Sequence, residues 1–177
     1  MVTGSPSITL NISSTSIPTV AFSKCDEDGT IDGTTAINLT TEINPSIIGL
    51  YPGTTEITYY STADNAIRQI NSLNTTITSG ASTIYARLAT GLDCNGIVAI
   101  TIQIRHIPLS DLTEENRIIC PNETILLQAN PIYVSYQWSD GTSANATTIS
   151  SAGIYTVEIT DNNNCKGTKR FIVTASA

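Results

Sequence analysis

The stretch from Thr83 to Ile107, TIYARLATGLDCNGIVAITIQIRHI, limits what this chain can become more than any other. Ile84, Ala86 and Leu88 alternate with Tyr85 and Arg87, and further on Val98, Ile100, Ile102 and Ile104 alternate with Ala99, Thr101, Gln103 and Arg105. A period of two sends successive side chains to opposite faces of a strand, so one face is buried and the other is wet. Between the two runs, Gly91-Leu92-Asp93-Cys94-Asn95-Gly96 supplies the Gly and Asn-Gly that tolerate the positive φ of a hairpin turn. The prediction is a β-hairpin. Cys94 in its turn needs a partner, and the second strand runs out through His106-Ile107-Pro108 into a different kind of sequence.

Composition agrees with a β protein. Of 177 residues, 40% are hydrophobic and only 13% charged. The polar residues are largely Thr, Ser and Asn and the apolar ones favour Ile and Val, which suits pleated surfaces and disfavours helix. With eight Lys and Arg against fifteen Asp and Glu, the net charge is -7. Too few cations remain to neutralise a run of phosphates, so nucleic acid is excluded as a partner. No apolar run is long enough to span a bilayer, so no membrane-spanning segment is expected. Met1-Val2-Thr3-Gly4-Ser5 lacks the charged and apolar regions of a signal peptide. Met1 is the only methionine, and it reads as a start added to a fragment of a longer protein.

Before the hairpin, Ile8, Leu10 and Ile12 alternate, as do Val20 and Phe22, and Ile37, Leu39, Thr41 and Ile43 form a further strand broken at Asn44-Pro45. Thr55–Tyr60 is a strand. Ala63, Ala66, Ile67 and Ile70 fall at helical spacing, with Ser61 or Thr62 placed to cap and Asp64 in the first turn, so a short helix is expected there. Asn74–Ser79 is a weaker strand. This density of strands and turns predicts an antiparallel sandwich over residues 1–107. Pro108–Arg117 is polar and without alternation and reads as a linker. Residues 118–177 hold a second, smaller sandwich, with a strand carrying Ile132, Val134, Tyr136 and Trp138 on one face, another placing Tyr155, Val157 and Ile159 together, and a last strand after Cys165. The fold class is all-β, two tandem sandwiches, the first with one short helix.

Cys25, Cys94, Cys120 and Cys165 contain no Cys-x-x-Cys pair, so disulfides in an oxidising compartment fit better than a metal or redox site. Four cysteines allow three connectivities. The domain division selects Cys25–Cys94 and Cys120–Cys165, since either alternative would tie the sandwiches across the linker.

Two groups of motifs resemble a known architecture. Cys25-Asp26-Glu27-Asp28-Gly29, the run from Ile57 to Ala66, Ile84-Tyr85-Ala86-Arg87 and Asp93-Cys94 resemble a module of large surface proteins of gliding bacteria, the SprB-like adhesins. Cys120-Pro121-Asn122-Glu123-Thr124, Tyr136-Gln137-Trp138, Gly153-Ile154-Tyr155-Thr156-Val157 and Asn164-Cys165 resemble the Ig-like or PKD-like repeats beside it. The resemblance implies a non-catalytic structural or adhesive module of a secreted cell-surface protein of gliding motility, exported by type IX secretion and associated with the outer membrane. Its implied partners are neighbouring repeats, a C-terminal sorting domain, and the secretion and attachment components.

Candidate sites are few. Asp26, Asp28 and Asp32, with Glu27, offer hard oxygen ligands in one loop, and Asp93 would join them if Cys25 bonded Cys94. Calcium favours such clusters, but the positions where an EF-hand needs an oxygen and then a glycine are Thr30 and Ile31, so that pattern fails. The competing reading is an acidic turn that needs no ion. His106 is the only histidine, and neither a nucleophile elbow nor a paired carboxylate accompanies it, so no catalytic residue is assigned. Trp138 is expected in the second core. Lys166, Lys169 and Arg170 are expected to protect an edge strand. The alternative function is a carbohydrate- or protein-binding module, with Tyr51, Tyr59, Tyr60 or Tyr133 as an exposed platform.

Overall fold

A computed structural model of the chain describes residues 17–90 and 96–176. Two hydrophobic clusters organise it. The first gathers Ile37, Leu39, Ile43, Ile47, Tyr59, Ile84, Ala86, Leu88, Val98, Ile100 and Ile102. The second gathers Ile107, Ile119, Leu127, Trp138, Val157, Ile159, Phe171 and Val173, among others. The predicted hairpin is present as β5 (Ser82–Thr90) and β6 (Gly96–Arg105), paired antiparallel, and its alternating aliphatic residues supply the floor of the first cluster.

In the first unit β6 lies between β5 and β1 (Thr19–Cys25), and β3 (Thr54–Tyr60) closes the sheet in the order β1-β6-β5-β3. A two-stranded sheet of β2 (Thr35–Asn38) and β4 (Thr76–Ser79) completes the sandwich. The second unit repeats this plan. Its larger sheet is ordered β7 (Glu115–Ile119), β12 (Lys166–Ala175), β11 (Gly153–Thr160), β9 (Ser135–Trp138), and β8 (Ile125–Gln128) pairs with β10 (Ala146–Ile149) in the smaller one. The third, fifth and sixth strands opposed to the second and fourth is the immunoglobulin arrangement of the C, F and G strands against B and E. The fold is two Ig-like β-sandwiches. It is not wholly antiparallel, because the first strand of each unit pairs parallel with the last, β1 with β6 and β7 with β12.

The register of the two units coincides. Ile84↔Ile100, Ala86↔Val98 and Leu88↔Gly96 in the first hairpin correspond to Tyr155↔Phe171, Val157↔Lys169 and Ile159↔Gly167 in the second. Tyr59 opposite Ala86 corresponds to Trp138 opposite Val157, so the two large aromatic residues fill the same core position.

Several expectations are corrected. The strand expected through Ile43 ends at Asn38, and the chain then turns through a π-helical stretch, Leu39–Ile43, into helix α1 (Asn44–Leu50). Asn38 Oδ1 accepts the amides of Thr40 and Thr41, both at 3.1 Å, and Pro45 in the first turn favours a helix start. Leu39, Ile43 and Ile47 are buried at every fourth position, a spacing that alternation and a helix share. The predicted helix is α2 (Ala63–Arg68), capped by Thr62, but only Ala66 of its apolar residues is buried, while Ile67 and Ile70 are exposed. In the second unit Ile132 and Val134 face solvent and Tyr133 points inward, because the pairing of β9 begins only at Ser135. The basic residues of β12 protect no edge. β12 is flanked on both sides, and Lys166, Lys169 and Arg170 pair with Glu158, Glu115 and Glu114.

The segment expected as linker, residues 108–117, carries helix α3 (Leu109–Leu112) and the first residues of β7. No helix among the described residues is long and apolar enough to cross a membrane. The early strand around Ile8 and Leu10 lies outside the described residues, as do Asp93 and Cys94.

Candidate functional site: the inter-domain junction

Both expected disulfides are overturned. Cys25 bonds Cys165, joining the end of β1 in the first sandwich to the β11–β12 turn of the second, and Cys120 is a free, exposed thiol. The cysteines join the sandwiches rather than stapling each one, because the strand ends that carry Cys25 and Cys165 meet where the chain passes from one unit to the other. The two cores remain separate on either side of the bridge.

Local sequence shapes each half of this junction. On the second-domain side, Asp161 Oδ1 accepts the amides of Asn163 (2.7 Å) and Cys165 (2.9 Å), and Asn164 adopts a left-handed backbone (φ 63°) that Asn tolerates. This run of Asp and Asn therefore folds into a tight turn that presents Cys165. Burial by itself would raise the Asp161 carboxyl, but the Cys165 amide, the side chain and amide of Asn163, and the charge of Arg105 outweigh it and hold the group below the usual carboxylate range. On the first-domain side, the Asp26 amide donates to the Arg105 carbonyl at 2.8 Å, which extends the β1–β6 pairing past Cys25.

Polar contacts cross beside the disulfide. Arg105 Nη1 donates to Asn163 Oδ1 at 2.7 Å, and the Lys166 amide donates to Glu27 Oε1 at 2.9 Å. Apolar packing reinforces them. Ile107, 1% exposed, leaves the first sandwich to enter the second core, and Leu112 of α3 packs against that core as well. Gly167 lies directly beneath both, since a Cβ there would stand 2.8 Å from Leu112 Cδ2 and 3.2 Å from Ile107 Cβ. Asp111 fastens α3 to the second domain by accepting the Tyr133 hydroxyl and Asn130 Nδ2. An open groove lined by Glu27, Thr30, Ile31, Leu112, Glu158 and Lys166 runs alongside.

The acidic loop forms part of this junction. Asp26 is 4% exposed and its Oδ2 accepts the Gly33 amide at 2.8 Å. Asp28 Oδ1 accepts the amide and hydroxyl of Thr30, and Asp32 Oδ1 accepts those of Thr34. Each of these carboxylates accepts from its own turn through one oxygen, while Asp26 Oδ1 is buried without a hydrogen-bond partner. Among the described residues no three His, Cys, Asp or Glu side chains gather in a metal-binding group. The reason for placing Asp93 beside them falls with the Cys25–Cys94 bond.

The remaining candidates sit apart from one another. His106 is exposed with Nδ1 3.0 Å from the Ile107 carbonyl, while Asp111 is engaged with Tyr133 and Asn130. Trp138, 2% exposed, stacks on Phe171 at 5.5 Å and donates Nε1–H to the Ala144 carbonyl. Tyr59, Tyr60 and Tyr133 are buried and Tyr51 packs partly buried against the first cluster, so they do not form the exposed platform considered above.

Residues 21–108, just under half of the chain, match the family described as the Flavobacterium inter-domain disulphide bond domain. Cys25 lies within that match. No curated protein matches the chain. Among solved structures, DIP-gamma IG1+IG2 is 8% identical over 68% of this chain and 83% of its own, with a TM-score of 0.33. The N-terminal four Ig domains of Dscam1 isoform 4.4 are 9% identical over 95% of this chain and 46% of their own, with a TM-score of 0.30. Sidekick-1 immunoglobulin domains 1–4 are 12% identical over 90% and 49%, with a TM-score of 0.29. Likenesses this distant do not bear on function.

Proposed function

We propose that this stapled pair of Ig-like domains is a non-catalytic spacer of a secreted cell-surface protein, holding its neighbours at a set distance and angle. The observation that carries this reading is the Cys25–Cys165 bond, which ties one sandwich to the other at a junction already packed by Ile107, Leu112 and Gly167. A disulfide of this kind suits an oxidising, extracellular setting. The burial of Tyr59, Tyr60 and Tyr133 supports a spacer over a glycan-binding face. The parent, in this reading, is a gliding-motility adhesin exported by type IX secretion to the outer-membrane surface, with further repeats and a sorting domain as its neighbours.

Replacing this pair in the parent with an unrelated rigid two-domain spacer of equal length tests the proposal. Restored attachment and movement are expected. Failure of the replacement, together with glycan or protein binding by the isolated chain, would overturn the spacer reading.

A further inference from the structure

Asp26 is the buried acid of the junction, 4% exposed. Its Oδ2 accepts the Gly33 amide at 2.8 Å, while its Oδ1 is buried with no hydrogen-bond partner. A native fold seldom leaves a buried carboxylate oxygen without a donor, because the lost solvation is costly. Asp26 lines the groove beside the junction, a space of about 420 Å³. With Oδ2 turned to Gly33, Oδ1 is the oxygen left for an occupant of that groove.

The charges around it are unbalanced. Lys166 Nζ pairs with Glu158 at 2.8 Å, so that acid is neutralised. Glu27, on the exposed rim, commits Oε1 to the Lys166 amide, which leaves Oε2. Asp26 and Glu27 therefore carry the uncompensated negative charge of the groove and present one oxygen each. Ile31 and Leu112, both half-buried, give it an apolar wall. This lining fits a cation on an aliphatic stem. A guanidinium fork is matched by both oxygens of one carboxylate, whereas an ammonium has three separate donors and can take one oxygen from each of two. A calcium ion would need six or more oxygens, and among the described residues no third free carboxylate joins the pair.

We propose that the groove receives a lysine side chain of a separate polypeptide, with its ammonium on Asp26 Oδ1 and Glu27 Oε2 and its stem along Ile31 and Leu112. A second copy of this chain is not the donor, because its three lysines, Lys24, Lys166 and Lys169, are each paired with a glutamate. The groove is continuous with the domain interface: Asp26, Glu27 and Ile31 come from the first-domain side, and Glu158 and Lys166 from the second. It is complete only while the junction holds the two together. Occupancy of the groove leaves the spacer reading standing, since that reading falls only with failed replacement in the parent.

Titration of the full, disulfide-bonded chain with the peptide acetyl-Gly-Thr-Lys-Thr-Gly-amide, followed by amide NMR, tests the assignment. The controls carry arginine or acetyl-lysine in place of the lysine, and putrescine stands for a free amine. The lysine peptide should shift the amides of Gly33, Lys166 and Gly167 to saturation. The arginine peptide should bind several-fold more weakly, and the acetyl-lysine peptide should not bind. Asp26→Asn, which keeps an acceptor for the Gly33 amide, should weaken lysine-peptide binding by about tenfold or more, the loss of a hydrogen bond to a charged group. Glu27→Gln, on the exposed rim, should weaken it too, and it serves alone where Asp26→Asn loses the native amide spectrum. The proposal is overturned by absent shifts, by equal binding of the arginine or acetyl-lysine peptide, or by undiminished binding in either variant that keeps the fold. Putrescine binding as tightly as the lysine peptide, or calcium chloride displacing that peptide from the same amides, would also overturn it.

Discussion

Arg105 and Asn163 belong to different sandwiches and join across the domain junction through a 2.7 Å hydrogen bond from Nη1 to Oδ1. Arg105 ends β6, the neighbour of the strand that carries Cys25, and Asn163 lies in the turn that presents Cys165, so this bond and the disulfide fix one turn to two adjacent strands. The pair is exposed and its contribution to global stability is about 1 kcal/mol or less. Arg105→Ala is therefore expected to leave the melting temperature nearly unchanged while raising the mobility of residues 161–164, read by amide hydrogen exchange. Unchanged exchange in that turn would show that the bond does not order it.

Gly167 has no room for a side chain. A Cβ there approaches Leu112 Cδ2 to 2.8 Å and Ile107 Cβ to 3.2 Å, and the Leu112 side chain can swing aside more readily than Ile107 can. Gly167→Ala should destabilise by about 1–2 kcal/mol, the lower part of the range for overpacking. Chemical denaturation monitored by the fluorescence of Trp138 would measure it, and Leu112→Ala in the same background should recover part of the loss. No recovery would place the strain elsewhere.

The bridge closes a segment with a sequence separation of 140 residues. In chain-entropy terms a loop of this size corresponds to about 5 kcal/mol. Cys165→Ser should lower the midpoint of thermal unfolding, and with the constraint gone the two sandwiches should unfold in separate steps visible by calorimetry. A single unshifted transition would contradict the role assigned to the bond.

Acid should weaken the fold in a defined direction. Asp161 is held below its ordinary value of 3.8, with burial opposed and outweighed by the Cys165 amide, Asn163 and Arg105. Glu115 is held below 4.5, chiefly by its hydrogen bond to Lys169. A carboxyl whose folded pKa is depressed contributes stability that is fully present above its unfolded pKa and is lost as pH falls through the folded one. Stability should be level above about pH 5 and fall below about pH 4, with Asp161→Ala flattening part of that fall. Stability that rises on acidification would reverse the sign and refute the assignment.

Much of the fold was legible in the residues. The alternation of Ile84, Ala86 and Leu88 against Val98, Ile100 and Ile102 marked the hairpin on which the first core is built, and Thr62 marked the start of α2. Leu39 and Ile43 read as strand because every fourth residue is also every second one, and only the Asn38 cap and Pro45 tip the chain into helix. The junction was harder to read. Pro108–Arg117 reads as a linker because its polarity hides Leu112, which packs against the second core with the preceding Ile107, and Gly167, beneath them, carries no pattern of its own. The disulfide was misassigned by treating each sandwich as a closed unit.

The central claim is that Cys25–Cys165 makes two separately cored sandwiches move as one body. Residual dipolar couplings, measured on the oxidised chain and again on Cys25→Ser, test it most directly. The oxidised chain should require a single alignment tensor for both sandwiches, and the variant should require two of different magnitude. Two independent tensors for the oxidised chain would contradict the account, because the bond would then link the domains without fixing them.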